Sequence, residues 1–353
     1  MGNRIAIMGV GAVGGYAGAH MAQAGEDVTF IDPWPAHVEK MQRDGLKISH
    51  IRDVPEFTVK VRAMHVTDAQ HLAKEAPIDI AFVCMKSYDT EWAATLISQY
   101  LAPGGFIVSL QNCMNEETIA GVVGWGKTVG CIASSITVDL CEPGHVRRAA
   151  GKSGSRHTVF RTGEVHGRTT ERVKEICRLV GLADSAMVTE NLWGERWSKL
   201  VTNVMGNGLS ACTGMIGKEM VQNDAIRRFS SRLGSEAIRV GQALGYELEE
   251  IIHLDPEIIA RAGEGDAAAT RQYDEHRLAE VSKGGGEHRP SMGQDMVKGR
   301  RTEIEFLNGL VATKGGEIGI ATPANVVLTD IVKRVEKGEL KPDPKHITDL
   351  RLN

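Results

Sequence analysis

The stretch "RIAIMGVGAVG", residues 4–14, decides the fold of the first half of the chain. A short apolar run passes directly into a turn with glycines at positions 9, 11 and 14. In such a turn Gly9 permits the tight bend, Gly11 lets the backbone approach a pyrophosphate, and Gly14 lets the following helix pack closely on the strand. The stretch therefore predicts a dinucleotide-binding loop made of Gly9, Val10, Gly11, Ala12, Val13 and Gly14, at the N-terminus of a helix.

The acid that this type of loop requires closes the next apolar run, "VTFID" at residues 28–32. A carboxylate at Asp32 can accept hydrogen bonds from the adenosine ribose hydroxyls and repels a 2′-phosphate. Pro33 follows, and "PWP" contains no Arg or Lys that could hold such a phosphate. The sequence therefore favours NAD over NADP as cofactor. The alternative is an Asp that only shapes the turn before Pro33.

Hydropathy patterns divide the chain into two halves that are predicted to have different secondary structure. Short apolar runs alternate with amphipathic segments up to about residue 189, which predicts an α/β fold, a doubly wound parallel sheet covered by helices. The runs are "RIAIMGV", "DVTFID", "IDIAFVCM", "GGFIVSLQ" and "TVGCIASSITV". Residues 190–353 are instead predicted to form an all-helical domain. Within it, residues 247–290 are predicted to be a helical insertion that ends in a flexible Gly-rich loop.

Composition excludes several classes of protein. With 353 residues and 42% hydrophobic content, the chain is predicted to be globular and is long enough for two domains. Its formal net charge of −4 provides no excess of positive charge for binding nucleic acid. Six scattered cysteines without metal-ligand spacing favour reduced thiols, no metal site and a cytoplasmic location. No segment is long and apolar enough to indicate a membrane partner. The apolar faces of the helical half offer surfaces for a homodimer.

Residues 195–214, "ERWSKLVTNVMGNGLSACTG", are predicted to form one helix with an unusual polar face. Lys199, Asn203 and Asn207 recur every four residues, so they drift by only about 40° per step and share one stripe. The stripe could be an ordinary wet surface, with Glu195 and Lys199 as a surface pair. However, Asn and mid-helix Gly are poor helix formers. Short amides beside glycines therefore favour a polar ligand on this face.

A later segment, "RPSMGQDMVKGRRTEIEFLNGLV" at residues 289–311, is predicted to be a second long helix. Glu303 falls on its apolar stripe, where a carboxylate is costly unless it is paired or bound to a ligand. Arg300 and Lys199 are the two partners that the sequence offers. Ser291 and Gln294 fit an S-x-x-Q capping box, which predicts that Ser291 caps this helix.

At these motifs the chain resembles the ketopantoate reductase family. The resemblance covers nearly the full length, and its specific parts are "GVGAVG", "CMKS", "LQN", "RWSKLVTNVMGN", "PSMGQDMVKGRRTEIEFLNG" and "GIATPAN". It implies an N-terminal Rossmann domain, a helical C-terminal domain like that of 6-phosphogluconate dehydrogenase, and a substrate bound in the cleft between them. The implied reaction is hydride transfer between nicotinamide C4 and the carbonyl carbon of a small 2-oxo acid.

The resemblance also implies roles for individual residues. Lys199 matches the catalytic lysine and Glu303 the acid that orients the reacting hydroxyl. Asn203, Asn207 and Ser291 match substrate-binding residues, and Lys86 and Asn112 match cofactor contacts. An ammonium group is protonated at neutral pH and can supply a proton to the oxygen as negative charge develops on it.

Several positions depart from the family pattern. Pro33 stands where NADP-preferring members carry an arginine, Cys113 follows Asn112 where glycine is usual, and Gly217 replaces a further asparagine of the substrate site. Three functions are therefore compatible with the sequence: reduction of ketopantoate, NAD-dependent oxidation of a different hydroxy acid or secondary alcohol in catabolism, and nucleotide sensing without catalysis. Retention of Lys199 and Glu303 disfavours the last.

Overall fold

The computed structural model describes residues 2–50, 55–134, 136–149, 151 and 157–350. The chain divides into two compact units, Met1–Leu192 (unit 1) and Trp193–Asn353 (unit 2).

Unit 1 contains both strands and helices. Its strands are β1 (Arg4–Met8), β2 (Asp27–Asp32), β3 (Leu46–His50), β4 (Phe57–Val59), β5 (Arg62–His65), β6 (Ile78–Val83), β7 (Leu101–Ser109), β8 (Thr128–Ala133), β9 (Val138–Glu142), β10 (His145–Arg148), β11 (Phe160–Glu164) and β12 (Ala186–Val188). Its helices are α1 (Ala12–Gln23), α2 (Pro35–Asp44), α3 (Thr90–Ser98), α4 (Glu116–Val123) and α5 (Glu171–Gly181), with 3-10 turns at Val66–Lys74, Ser87–Asp89 and Trp125–Lys127.

The main sheet of unit 1 has eight strands in the order β12-β11-β8-β7-β6-β1-β2-β5. The six strands from β5 to β8 run parallel, whereas β11 pairs antiparallel with β8. Every residue of β1 is buried, as expected of a central strand covered on both faces. This confirms the predicted α/β fold with a doubly wound parallel sheet.

A second sheet, with the order β4-β3-β10-β9, was not predicted from the sequence. It packs on α1, where a Cβ added to Gly15 would lie 3.0 Å from Val146 of β10. The prediction of "TVGCIASSITV" as one strand is wrong, because β8 belongs to the main sheet and β9 to this second sheet. Short strands of three to five residues carry too little periodicity to be recognised alone.

In its described residues, 193–350, unit 2 contains helices joined by loops, with an isolated bridge between Ile251 and Leu254 as its β-structure. It contains α6 (Leu192–Val204, which begins at the last residue of unit 1), α7 (Asn207–Thr213), α8 (Gly217–Gln222), α9 (Asp224–Ala243), α10 (Pro256–Gly263), α11 (Ala267–Ser282), α12 (Ser291–Val297), a 3-10 turn (Ile304–Phe306), α13 (Asn308–Glu317), α14 (Pro323–Glu336) and α15 (Lys345–Thr348).

The prediction that residues 195–214 form one continuous helix is wrong, because the structure has two helices there. The chain leaves helical geometry after Val204, and Gly206, with φ −132° and ψ −39°, caps the start of α7. The N–H of Gly206 bonds to the Asn203 carbonyl at 3.2 Å, which closes a tighter turn than an α-helix allows. Asn207 is therefore the first residue of a new helix and does not continue the stripe of Lys199 and Asn203.

The single helix predicted for residues 289–311 is also wrong. Gly299, with φ +62°, ends the first part after α12, and an extended segment leads to the 3-10 turn and α13. Glu303 precedes that turn and is not on a helix. It is nevertheless buried, so its predicted burial is confirmed although the helical reason for it was wrong.

The Gly-rich loop after α11 contacts the start of α8, and its flexibility stays a prediction. The Lys218 N–H donates to the Gly286 carbonyl at 2.8 Å, and Lys218 Nζ pairs with Glu287 at 2.9 Å. A Cβ on Gly286 would lie 2.7 Å from the Lys218 nitrogen, so glycine is required where the two backbones meet. Gly217, which was predicted to replace a family asparagine, lies against this loop.

Within the described ranges no helix has the length and apolarity needed to cross a bilayer. The same residues contain no group of three or more His, Cys, Asp or Glu side chains arranged to hold a metal ion.

Candidate functional site

The residues predicted to contact the cofactor follow four neighbouring parallel strands of unit 1. The glycine loop follows β1, Asp32 ends β2, Lys86 lies shortly after β6, and Asn112 lies shortly after β7. The carboxyl ends of parallel strands meet at one edge of a sheet, and the strand order reverses beside β1. This edge is where open α/β sheets bind their ligands.

The three glycines of the loop serve three different purposes. Gly9 has φ +91°, and a Cβ there would collide with the Met85 side chain. A Cβ on Gly14 would collide with the Gly9 carbonyl and lie 2.7 Å from Cys84 Cβ. At Gly11, by contrast, no atom of the described chain lies within 4 Å of such a Cβ, so the space in front of it is open to a ligand.

The helix behind this loop supplies the donors for an anion. Gly11 caps α1, which begins at Ala12, and the first N–H groups of any helix lack an intrahelical acceptor. Open space at Gly11 together with these donors fits the pyrophosphate of a dinucleotide. The local geometry agrees with the cofactor interpretation of Gly9, Val10, Gly11, Ala12, Val13 and Gly14.

Asp32 is buried at the end of β2, where it already bonds to the backbone. Its Oδ2 accepts from the Val10 N–H at 2.7 Å, and its Oδ1 accepts from the Trp34 N–H at 2.9 Å. The turn-shaping role is therefore realised, and the same carboxylate ties the glycine loop to the strand edge. Each carboxylate oxygen has more than one acceptor site, so a bond to a ribose hydroxyl is compatible with both contacts.

His37 of α2 also holds the glycine loop and was missed at the level of sequence. Its ring is fully buried, Nε2 bonds to the Val10 carbonyl at 2.9 Å, and Nδ1 accepts from the Gly144 N–H at 2.8 Å. Burial lowers the pKa of His37 below its usual value. No sequence pattern could have found it, because Val10, His37 and Gly144 are far apart along the chain.

The loop after β7 contains Cys113 at the position where the resemblance leads one to expect glycine. Cys113 has φ +65°, a left-handed conformation in which glycine is favoured. A non-glycine residue is therefore held there by its surroundings, since Cys113 is buried. Nearby, Asn115 Nδ2 donates to the Asn112 carbonyl at 2.7 Å, and Gln111 Nε2 donates to the Met85 carbonyl at 2.8 Å. The first bond lies within the loop after β7, and the second ties that loop to the loop after β6.

In unit 2, α6 presents two of the predicted residues. Lys199 and Asn203 are half-buried and one turn apart, while Leu200, Val201 and Val204 on the other face are buried. Asn203 Nδ2 is a buried donor for which the described residues provide no hydrogen-bond acceptor. Such a donor is costly unless a ligand or water accepts from it.

Asn207 and Ser291 are brought together although 84 residues separate them. Ser291 Oγ donates to Asn207 Oδ1 at 3.4 Å, a long bond. The capping box predicted for Ser291 is wrong, since Pro290 precedes α12 as its cap residue and Gln294 Nε2 instead donates to the Arg289 carbonyl at 2.9 Å. The Ser291 hydroxyl is thus directed at the neighbouring helix.

Close packing explains why glycines surround these residues. A Cβ on Gly293 of α12 would collide with Ser210 Oγ of α7, and that hydroxyl donates to the Met215 carbonyl at 2.7 Å. A Cβ on Gly208 would lie 2.9 Å from Leu328 and 3.0 Å from Ile304. The glycines therefore let α12 and the segment beside Glu303 approach α7.

Arg300, one of the two partners predicted for Glu303, is exposed, unlike Glu303. The pairing of Glu303 with Lys199 stays a prediction.

A buried polar network reaches the interruption between α6 and α7. Glu236 of α9 accepts from the Ala324 N–H at 2.9 Å, from the Asn325 N–H at 3.0 Å and from Asn325 Nδ2 at 2.8 Å. Asn308 Nδ2 donates to Asn325 Oδ1 at 2.9 Å and to the Val204 carbonyl at 3.3 Å. Asn308 and Asn325 thus explain the "LNG" and "TPAN" motifs as structural support for the end of α6.

A separate cavity of about 490 Å³ lies at the connection between α9 and α10. Its lining includes Glu249, Glu250, Asp255 and Glu257 and none of the predicted site residues. The described lining has no Lys or Arg side chain, and its Glu257 is already paired with Arg239 at 2.7 Å, so this cavity is not the site predicted for an anionic substrate.

The chain matches two family models over most of its length. The model for ketopantoate reductase PanE/ApbA matches residues 5–158, and the model for the C-terminal part of that family matches residues 191–336. A 2-dehydropantoate 2-reductase from Archaeoglobus fulgidus is 30% identical over 341 residues, covering 95% of this chain and 98% of the relative.

Solved structures show the same fold. A PanE/ApbA family ketopantoate reductase from Ralstonia eutropha superposes with a TM-score of 0.77 at 26% identity, over 95% of this chain and 99% of that one. A D-mandelate dehydrogenase in complex with NADH and anilino(oxo)acetate gives a TM-score of 0.76 at 23% identity over the same shares, which is a likeness of fold. From the two family matches and the relative of 30% identity, the chain belongs to the ketopantoate reductase family of NAD(P)-dependent oxidoreductases.

Proposed function

We propose that this protein transfers a hydride between a nicotinamide cofactor and the carbonyl or carbinol carbon of a small 2-oxo or 2-hydroxy acid. The observation that carries the proposal is Asn203 Nδ2, a buried donor without an acceptor among the described residues, one turn from Lys199. A polar substrate oxygen would satisfy it. Family membership supplies the reaction class.

The nicotinamide, when bound, accepts or donates the hydride, and the protein's residues manage the oxygen and its proton. The Lys199 ammonium group donates a proton to the oxygen as the carbonyl is reduced, and in the reverse direction the amine takes that proton back. Asn203 and Asn207 have amide groups that both donate and accept, so they can fix a carboxylate or hydroxyl. Ser291 lies within reach of Asn207 to share that role, and Glu303 orients the reacting hydroxyl.

In unit 1, the glycine loop and the start of α1 would hold the pyrophosphate, while Asp32 would bind the ribose. Lys86 and Asn112 would contact the cofactor from the loops after β6 and β7. The buried carboxylate at the end of β2 favours NAD over NADP, because a 2′-phosphate beside it would be repelled. We therefore infer NAD as the preferred cofactor.

The same carboxylate favours a second candidate function. Cellular NAD is mainly oxidised, so an NAD-dependent member would serve well as a dehydrogenase that oxidises a hydroxy acid or secondary alcohol other than pantoate. This candidate differs from the first in substrate and direction and not in the roles of the residues.

A panel assay tests both candidates. The purified protein is mixed with NAD or NADP and a series of 2-hydroxy acids, or with NADH or NADPH and the matching 2-oxo acids, and nicotinamide absorbance is followed. Turnover of ketopantoate with NADPH far above all other pairs would contradict the catabolic candidate. Absence of turnover with every pair would contradict both, and a nucleotide-binding protein without catalysis would remain.

A further inference from the structure

Two backbone groups from different loops meet at the buried ring of His37. One is the Val10 carbonyl within the glycine loop, at 2.9 Å from Nε2, and the other is the Gly144 N–H in the turn between β9 and β10, at 2.8 Å from Nδ1. Gly144 has φ +71°, and its carbonyl accepts from the Lys47 N–H of β3 at 2.8 Å. The ring therefore connects the glycine loop to the second sheet.

The two partners determine which ring nitrogen carries the proton. A backbone N–H can only donate, so Nδ1 must be bare in order to accept from Gly144. A carbonyl can only accept, so Nε2 must carry the hydrogen that it donates to Val10. Only the neutral Nε2–H form satisfies both bonds. A doubly protonated ring would place an N–H against the Gly144 N–H.

The bond to Val10 also determines where the next N–H points. The peptide between Val10 and Gly11 is planar and trans, so its carbonyl and its N–H point in opposite directions. With the carbonyl directed at His37, the Gly11 N–H is directed away from the ring. The Val10 N–H is held in turn by Asp32 Oδ2 at 2.7 Å, so both ends of this residue are fixed.

We propose that His37 is a positioning residue of the cofactor loop, whose neutral ring holds the Val10–Gly11 peptide in the orientation that binds a dinucleotide pyrophosphate and whose protonation releases it. This inference rests on the proposed binding of NAD(P). Because its ring is fully buried, His37 would act through the peptide that it holds and not by direct contact with the cofactor.

The charges around His37 set the direction of its pH response. Burial is the largest influence and lowers its pKa below 6.5, while the Asp32 carboxylate and the bond to Val10 oppose the shift. On α2 itself, Lys40 lies beside Gly144 and pairs with Asp44. At the β9–β10 turn, Glu142 and His145 bond to each other at 3.2 Å.

The lowered pKa of His37 determines whether acid strengthens or weakens the folded loop. As pH falls, the ring in the unfolded or released state takes up a proton near pH 6.5, whereas the ring in the folded loop takes one up only at a lower pH. The stability that the neutral ring contributes is therefore complete above that value and is lost as pH falls through the lowered pKa. Cofactor affinity is expected to fall in the same direction.

Calorimetric titration of the whole protein with NAD between about pH 5 and pH 8 tests this inference. The wild type is expected to lose affinity by up to about tenfold per pH unit below the pKa of His37. In His37→Gln the amide oxygen can accept from Gly144 and the amide nitrogen can donate to Val10, without titrating. This variant should keep the affinity measured at pH 8 and lose the acid-side fall. In His37→Phe both bonds are absent, and affinity should be about tenfold lower at every pH.

Two controls make the result specific. His71→Gln replaces an exposed histidine and should retain the wild-type pH profile. His65→Gln replaces a histidine whose Nε2 bonds to the Pro33 carbonyl at 2.8 Å, beside the same loop. If His65→Gln and not His37→Gln removes the pH dependence, the inference is overturned.

A second measurement does not depend on the cofactor. Nitrogen-15 NMR of labelled histidine in the wild type should show His37 as the neutral Nε2–H tautomer at pH 7, and a charged ring or the Nδ1–H tautomer would overturn the proposal. A wild type that binds no nicotinamide dinucleotide at any pH would contradict the proposed function, and that outcome is separate from the tautomer. Binding whose pH profile is the same in wild type and His37→Gln would overturn the inference alone.

Discussion

Lys199 is the residue on which the proposed proton transfer depends. It is half-buried on α6, one turn before the unsatisfied amide of Asn203. Lys199→Ala is expected to lower kcat by a factor of about 10² to 10⁴, the range for loss of general acid–base help. Steady-state kinetics on the best substrate of the panel measures it, with Lys337→Ala as a control because Lys337 is exposed at the end of α14. A fall of less than about tenfold would remove Lys199 from the mechanism.

Asp32 is expected to set the choice between NAD and NADP. Replacing it in Asp32→Ala/Pro33→Arg removes the repelling carboxylate and adds a cation, so the ratio of kcat/KM for NADP to that for NAD should rise about 10- to 100-fold. The ratio is the proper readout, because the Val10 and Trp34 N–H groups lose their acceptor and total activity will fall. Asp27→Ala, at the other end of the same strand, is the matched control. An unchanged ratio would mean that Asp32 only shapes the turn.

At the scale of elements, the contact between α7 and α12 brings Asn207 and Ser291 together. Gly293→Ala would place a methyl group against Ser210 Oγ and force the helices apart, at a cost of about 1–3 kcal/mol in the free energy of unfolding. Ser210→Ala loses its bond to Met215 and should cost about 1 kcal/mol. The double variant should cost less than the sum, because the hydroxyl that clashes is gone.

Denaturant unfolding of the four proteins in this cycle provides the measurement. Gly316→Ala is the control, since Gly316 lies on the exposed side of α13 with no atom of the described chain near its Cβ position. It should stabilise slightly, by up to about 1 kcal/mol, through helix propensity. Additive costs in the double variant would show that the glycine does not serve this contact.

At the scale of the whole molecule, a buried ion pair fastens the second sheet of unit 1 to the rest of that unit. Arg148 of β10 pairs with Asp184 at 2.5 Å and donates to Tyr16 Oη of α1 at 3.0 Å. Burial raises the pKa of Tyr16, so its hydroxyl stays protonated. Asp184→Asn leaves a buried guanidinium without its counter-ion and should destabilise unit 1 by about 3–5 kcal/mol.

Hydrogen exchange read out by mass spectrometry localises this effect. Amides of α1 and β10 should exchange faster in Asp184→Asn, whereas those of α9 in unit 2 serve as the internal reference. Arg148→Met/Asp184→Leu removes both charges and should recover most of the lost protection. Equal protection in the wild type and Asp184→Asn would show that the pair contributes little to holding the sheets together.

Local sequence determined the elements that depend on neighbours along the chain. Strands β1, β2, β6 and β7, the tight turn at Gly9 and the buried face of α6 all follow from apolar periodicity and from glycine's lack of a Cβ, which act within a few residues. The family and its reaction class could also be predicted from the sequence, because the motifs around Lys199 and Glu303 lie in contiguous stretches. Burial of Glu303 was predicted correctly from a helix that the chain does not form.

Only the tertiary structure decided where the two predicted helices break and that a second sheet forms. It also decided that the Ser291 hydroxyl bonds to Asn207 and does not cap its own helix, and that the His37 imidazole joins Val10 to Gly144. Each of these depends on contacts between residues far apart in sequence, such as Asn308 reaching the Val204 carbonyl at the end of α6. Propensity differences of a few tenths of a kcal/mol per residue are smaller than such buried contacts, so packing overrides them.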